Sequence, residues 1–173
     1  MRFTLTMTLL FALGTMTAPL VSSHEHSHGA SGKAAATQAT GFGSPGNAKA
    51  VTRVVELNLR DTMRIEPGQL SVKQGDTLRM RIRNTGAVAH EFVLGTQEEI
   101  IEHRDMMRKM PTMMHNDANA VSVAPGGTAE LIWRFSKTGT FLYACLVPGH
   151  WEAGMQGTVT VSGTTRPAAA KAR

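Results

Sequence analysis

From Val51 onward, apolar and polar positions alternate along the chain. Val54-Val55-Glu56-Leu57-Asn58-Leu59 predicts a strand, followed by Met63 to Ile65 and a turn at Pro67-Gly68. Leu70 to Val72 predicts a short strand, and Gln74-Gly75-Asp76 a turn. Leu78-Arg79-Met80-Arg81-Ile82-Arg83 alternates strictly, so one face carries the apolar side chains and the other a solvated row of arginines. Asn84-Thr85-Gly86 turns the chain into a strand from His90 to Leu94. Gln97 to about Lys109 is the one convincing helical stretch. Glu98 and Glu99 open it, Arg104, Arg108 and Lys109 close it as the helix dipole favours, and Pro111 ends it. Ala120 to Val123, the turn Pro125-Gly126-Gly127, Glu130 to Phe135, Phe141 to Leu146 and Gly157 to Val161 complete the set. Roughly seven or eight short strands with one helical insert predict an all-β, antiparallel sandwich.

The flanks have a different texture. Met1-Arg2 gives a positive start, Phe3 to Val21 is acid-free and mostly apolar, and Val21-Ser22-Ser23 closes it with small residues. That is the layout of a secretory signal peptide, cleaved after Ser23. Threonines interrupt the apolar run, so no clean span of about 20 residues is available for a membrane anchor. Residues 24–50 are rich in Ala, Gly, Ser and Thr and are expected to form a flexible tail. The folded domain is then expected over 51–162, with a second tail over 163–173. Export points to a periplasm, with no membrane span left once the leader is removed.

Composition narrows the chemistry. The chain has 173 residues, 42% hydrophobic and 18% charged, which is globular rather than disordered. Its formal charge of +5 loses only Arg2 with the leader. Nucleic acid is not an expected partner of an exported protein. A single Cys excludes a disulfide framework, a CxxC redox pair, a four-thiolate metal site and a two-copper centre bridged by paired thiolates. Seven His and eleven Met are the telling numbers, since both residue types bind metals.

The informative run is Tyr143-Ala-Cys145-Leu-Val-Pro-Gly-His150-Trp-Glu-Ala-Gly-Met155. It puts a thiolate, an imidazole and a thioether at five-residue intervals on a strand end and the loop after it. Pro148-Gly149 lets His150 fold back toward Cys145, and Gly154 gives Met155 similar freedom. His90, opening its own strand, is the candidate for a fourth ligand. Two imidazoles and a thiolate in a near-trigonal set, with a distant axial thioether, describe a mononuclear electron-transfer copper site. Zinc also takes Cys and His, but Met is not among its usual ligands. A nucleophilic cysteine with His90 or His150 as base and Asn84 as orienter gives Met155 no role.

Cys145-x4-His150-x4-Met155, with Asn84-x5-His90-Glu-Phe upstream, resembles the cupredoxin (blue-copper) family over about Val51 to Ser162. The resemblance implies a Greek-key β-sandwich holding one type-1 copper on His90, Cys145, His150 and Met155. A His-rich mature N-terminus, His90-Glu91-Phe92 and a Met-rich insert are similar to periplasmic copper-tolerance cupredoxins of the CopI type. That likeness implies a role in resisting excess copper, with Cu(I)/Cu(II) electron transfer as the chemistry and no enzymatic activity beyond weak cuprous oxidation. The alternative is a dedicated electron carrier between redox enzymes. For an electron carrier, the resemblance implies a redox partner docking near His150, on an apolar rim of Val147, Pro148 and Trp151. Glu91 is expected to hydrogen-bond across to the Cys145 loop, and Asn84 to support the site from the strand before it.

Two further groups are candidate auxiliary copper ligands. Met106, Met107, Met110, Met113 and Met114 cluster between His103 and His115, a thioether-rich set suited to Cu(I). The competing reading of Met106, Met107 and Met110 is a helix stripe packed on the sandwich. His24, His26 and His28 open the mature chain, and a free amine followed by a third-position His chelates Cu(II) in a square plane. His-x-His pairs occur only in this tail, so a trinuclear oxidase cluster is not expected.

Overall fold

The computed structural model describes residues 39–110 and 117–164. The expected leader, His24, His26, His28, Met113, Met114, His115 and most of the C-terminal tail lie outside the described residues. In chain order the strands are β1 (Gly43–Pro45), β2 (Arg53–Arg60), β3 (Arg64–Glu66), β4 (Gln69–Lys73), β5 (Thr77–Asn84) and β6 (His90–Gly95). Helix α1 (Gln97–Lys109) follows, then β7 (Ala120–Val123), β8 (Thr128–Phe135), β9 (Gly139–Ala144) and β10 (Gln156–Ser162). They form two five-stranded sheets, ordered β1-β8-β5-β2-β3 and β4-β10-β9-β6-β7.

The sandwich is mixed rather than wholly antiparallel as expected. β2 pairs parallel with β5, and β4 parallel with β10. The chain leaves the first sheet after β3, lays β4 on the edge of the second, and returns to the first in β5. Each crossing replaces a hairpin with a pairing between strands that are not consecutive.

The alternation in β5 does what its pattern predicts. Leu78, Met80 and Ile82 are fully buried. Opposite them, Arg79 and Arg81 meet Glu130, and Arg81 also meets Glu56. Leu57 and Leu59 of β2 and Trp133 and Phe135 of β8 complete that side of the core. β6 does not alternate: all six of its residues are buried. One face looks into the sandwich and the other is covered by α1, so both faces have lost water.

The helix forms where the charge pattern predicts. Thr96 caps it and makes a reciprocal capping box with Glu99, which satisfies two backbone donors of the first turn. Its buried residues are Ile100, His103 and Met107, one stripe facing the sheet. Ile100 and Met107 join Val93, Ala144 and Leu146 in a small core of their own, with Trp151 against it.

The packed domain begins earlier than the composition of 24–50 implies. Phe42 is fully buried, stacked on Phe141 at 4.7 Å between ring centroids and tilted against Trp133. β1 behind it pairs antiparallel with β8. Burying one such ring stabilises the fold by roughly 1.5–3 kcal/mol. A lone aromatic between glycines has no periodicity, which is why the segment reads as tail.

Candidate metal centre

Three donor atoms converge at one end of the sandwich. His90 opens β6, Cys145 follows the last residue of β9, and His150 lies in the loop between β9 and β10. The Nδ1 atoms of His90 and His150 are 3.2 Å apart. Cys145 Sγ is 3.3 Å from His150 Nδ1 and 3.9 Å from His90 Nδ1. These are the residues among those described that could jointly hold a metal ion. The point equidistant from the three atoms lies about 2.0 Å from each, close to a metal–imidazole bond length and slightly short of a metal–thiolate bond. The triangle therefore fits a single first-row ion.

The loop from Cys145 to Met155 is held by its own backbone. Cys145 N–H donates to Met155 O, Met155 N–H to His150 O, and His150 N–H to Val147 O, each at 3.0 Å. Ala153 N–H donates to Gly149 O and Gly154 N–H to Trp151 O, closing a helical turn. Gly149 and Gly154 take φ of 89° and 93°, left-handed values that side chains resist, as the two reversals require. Arg64 donates from Nη1 to Ala153 O and to Met63 O, tying the loop to β3. Met155 is fully buried in the same core cluster as Cys145.

His90 is fixed from two directions. Asn84, at the end of β5, donates from Nδ2 to Val88 O and Val123 O and accepts from Gly86 N–H. These bonds shape the loop that leads into His90. Asp61 was not singled out in the sequence. Its Oδ1 lies 3.2 Å from His90 Nε2, the ring nitrogen facing away from the triangle, and its Oδ2 accepts from Ala87 N–H at 2.7 Å. A carboxylate behind a ligating imidazole orients the ring and its tautomer. Nothing local marks Asp61, which lies 29 positions from His90. The Ala87 N–H, followed by the Val88 N–H and His90, holds its carboxyl below the ordinary range against a smaller opposing effect of burial.

Glu91 reaches Cys145, but through its backbone. Its N–H donates to Cys145 Sγ at 3.3 Å, while the carboxylate turns to the opposite face of β6, toward His103. Neighbouring residues on a strand must diverge in this way. Burial, followed by the charge of Asp117, raises the Glu91 carboxyl to about 7. Burial also pushes the Cys145 thiol up to about 11, although the N–H groups of Glu91 and Val147 pull against it. His150 is held below its usual value, first by burial and then by His90, with Asp61 opposing.

Among the auxiliary candidates, Met113, Met114 and His115 lie outside the described residues, and the three methionines before them differ in burial. Met107 is buried in the small core, Met106 is half-buried and Met110 is 46% exposed. The packing reading therefore holds for Met107.

Residues 51–162 match a family described as copper binding proteins, plastocyanin/azurin family. The copper-resistant cuproprotein CopI of Rubrivivax gelatinosus is 43% identical over 150 residues, covering 87% of this chain and 91% of that protein. A copper-resistant cuproprotein CopI of Pseudomonas aeruginosa is 35% identical over 162 residues, covering 77% of this chain and 89% of that protein. A solved structure of auracyanin B matches with a TM-score of 0.57 at 23% identity, over 70% of this chain and 96% of that one, a likeness of fold. The chain belongs to the plastocyanin/azurin family and is a cupredoxin of the CopI type, whose cofactor is one type-1 copper.

Proposed function

We propose that this cupredoxin carries its copper on His90, Cys145, His150 and Met155 and serves copper tolerance in a periplasm, with one-electron transfer as its chemistry. The triangle of two Nδ1 atoms and one sulfur, sized for a single ion, is the observation that carries the reading. Thiolate and thioether favour Cu(I) and imidazole also suits Cu(II), so a bound copper supplies a reversible one-electron couple. The chain's contribution is to keep the donors still. The backbone bonds of the 145–155 loop, the Asn84 bracket and Asp61 behind His90 leave little to rearrange between oxidation states.

The Glu91 N–H aimed at Sγ offsets negative charge on the sulfur and so favours the reduced state. His150 is half-buried at the rim of the centre, beside half-exposed Val147 and Trp151 and exposed Pro148. Val88, 43% exposed and two residues from His90, extends this apolar patch. A redox partner docking there approaches the copper through the His150 edge. The leader over 1–23 supports export, and the relatives named copper-resistant support tolerance as the purpose. No helix among the described residues is long and apolar enough to cross a membrane.

Expression of the full chain in a copper-sensitive bacterium tests the proposal. The chain should raise the copper concentration tolerated, the Cys145→Ser variant should not, and the exported protein should begin at His24. Equal tolerance with the variant would overturn the role of the centre.

A further inference from the structure

The two imidazoles of the donor triangle sit in different surroundings. His150 lies at the half-buried rim, whereas the His90 side chain is fully buried. The Nε2 of His90 therefore has to find its partner within the protein. Asp61 supplies it from the β2–β3 turn, which the Met63 N–H closes onto Arg60 O at 2.9 Å.

The carboxylate is held in a seat of its own. Ala87 N–H donates to Oδ2 at 2.7 Å, Val88 N–H donates to Oδ1 at 3.4 Å, and His90 Nε2 lies 3.2 Å from Oδ1. Gly86 keeps the seat open. A Cβ there would overlap Oδ1 and Cγ of Asp61, although the Gly86 backbone is not left-handed. The loop around it is also tied down independently of Asp61. Gly86 N–H donates to Asn84 Oδ1, and Thr85 donates to Leu59 O from both its N–H and its hydroxyl. A side chain at position 86 would thus displace the carboxylate rather than the loop.

Such a seat does more than aim the ring. With Nε2–H donating to a carboxylate, Nδ1 turns its lone pair into the triangle as a more basic ligand. The negative charge behind the ring also favours the more positive oxidation state of an ion held there. The Glu91 N–H at Cys145 Sγ works in the opposite sense.

We propose that Asp61, seated by Gly86, is the positioning residue that lowers the reduction potential of the centre, strengthening His90 toward Cu(II) more than toward Cu(I). This rests on the reading of His90 as a copper ligand. The Asp61 carboxylate and the Glu91 N–H then act against each other, one through an imidazole and the other through the sulfur.

Redox titration of the copper-loaded full chain, followed by the thiolate-to-copper absorption, tests this in Asp61→Asn, Gly86→Ala and Asp76→Asn. That absorption reports the type-1 centre alone, whatever the N-terminal histidines bind. Asn has a single acceptor oxygen and cannot serve both Ala87 and His90. Asp61→Asn should weaken Cu(II) relative to Cu(I) by at least about tenfold, which raises the one-electron potential by about 59 mV or more. Gly86→Ala keeps the charge but unseats it, and should move the potential the same way by less. Asp76→Asn removes an equal charge at the opposite end of β5 from Asn84 and should leave the potential unchanged. In the metal-free protein, NMR should show a His90 Nε2–H protected from solvent exchange, and that protection should be lost in Asp61→Asn and Gly86→Ala. Should Asp61→Asn lose its fold, Gly86→Ala decides. Folded variants that keep the absorption at the parent's potential would overturn the proposal. A parent without the absorption would overturn the ligand reading beneath it, and the proposal with it.

Discussion

The 145–155 loop and helix α1 carry the same soft and imidazole donors, yet they use them differently. In the loop, Cys145 and His150 meet within 3.3 Å, and Met155 is bonded back to Cys145 through its carbonyl. In the helix, Met107 is buried against the sheet, Met106 is half-buried and Met110 is exposed. The difference lies in the backbone. A reversing loop with two left-handed glycines can turn side chains toward one point, whereas a helix can converge only residues three or four apart.

The largest expected effect lies in the main core, which holds Cys145 and Met155 but not α1. Phe42→Ala should cost about 3–5 kcal/mol by thermal or denaturant unfolding, because the ring leaves a cavity against Trp133 and Phe141. A change under about 0.5 kcal/mol, the usual range for surface substitutions, would return the segment to a tail.

Within the helix, Met107→Ala should destabilise by about 2–4 kcal/mol and leave the thiolate absorption intact. Met110→Ala, on an exposed residue, should stay within about 0.5 kcal/mol. Loss of the type-1 absorption on removing Met107 alone would mean that the helix thioethers serve the centre directly.

Within the loop, Met155→Leu should keep copper but shift the visible spectrum and raise the potential, since the axial thioether tunes rather than holds the ion. Complete loss of copper would make Met155 a holding ligand. Proton linkage gives the subtlest test. With the Cys145 thiol pushed up to about 11, copper must displace its proton at neutral pH, whereas His150, held below its usual value, is already neutral. Affinity should therefore rise by about tenfold per pH unit above neutrality, with one proton released per copper in calorimetry across buffers. Affinity flat with pH would place the thiolate outside the binding event.

These regions also differed in how far they could be read in advance. The ligand loop was legible because its donors lie within eleven residues of one another, with Pro-Gly and Gly marking the reversals. β5 was legible from its strict alternation, and α1 from its charges and Pro111. Asp61 was hidden because it lies in the β2–β3 turn while its partner opens β6, 29 positions away, and a lone Asp in a turn has many bland roles. Arg64 was hidden in the same way, binding Ala153 O 89 positions on. Phe42 was obscured by glycine-rich company, and the parallel pairings of β2 and β4 leave no local mark at all. Glu91 stands beside His90 in the sequence, yet the strand's twofold period gives its backbone to Cys145 and its side chain to the His103 face.

The central claim is a single copper on a thiolate and two imidazoles, and its most direct test is Cu(II) titration of the mature protein beside Cys145→Ser. Visible absorption and electron paramagnetic resonance are the readouts. An intense thiolate-to-copper band that saturates at one equivalent and vanishes in the variant is the predicted result. A weak, square-planar signal that the variant leaves unchanged would contradict the account, because copper would then be bound without Cys145.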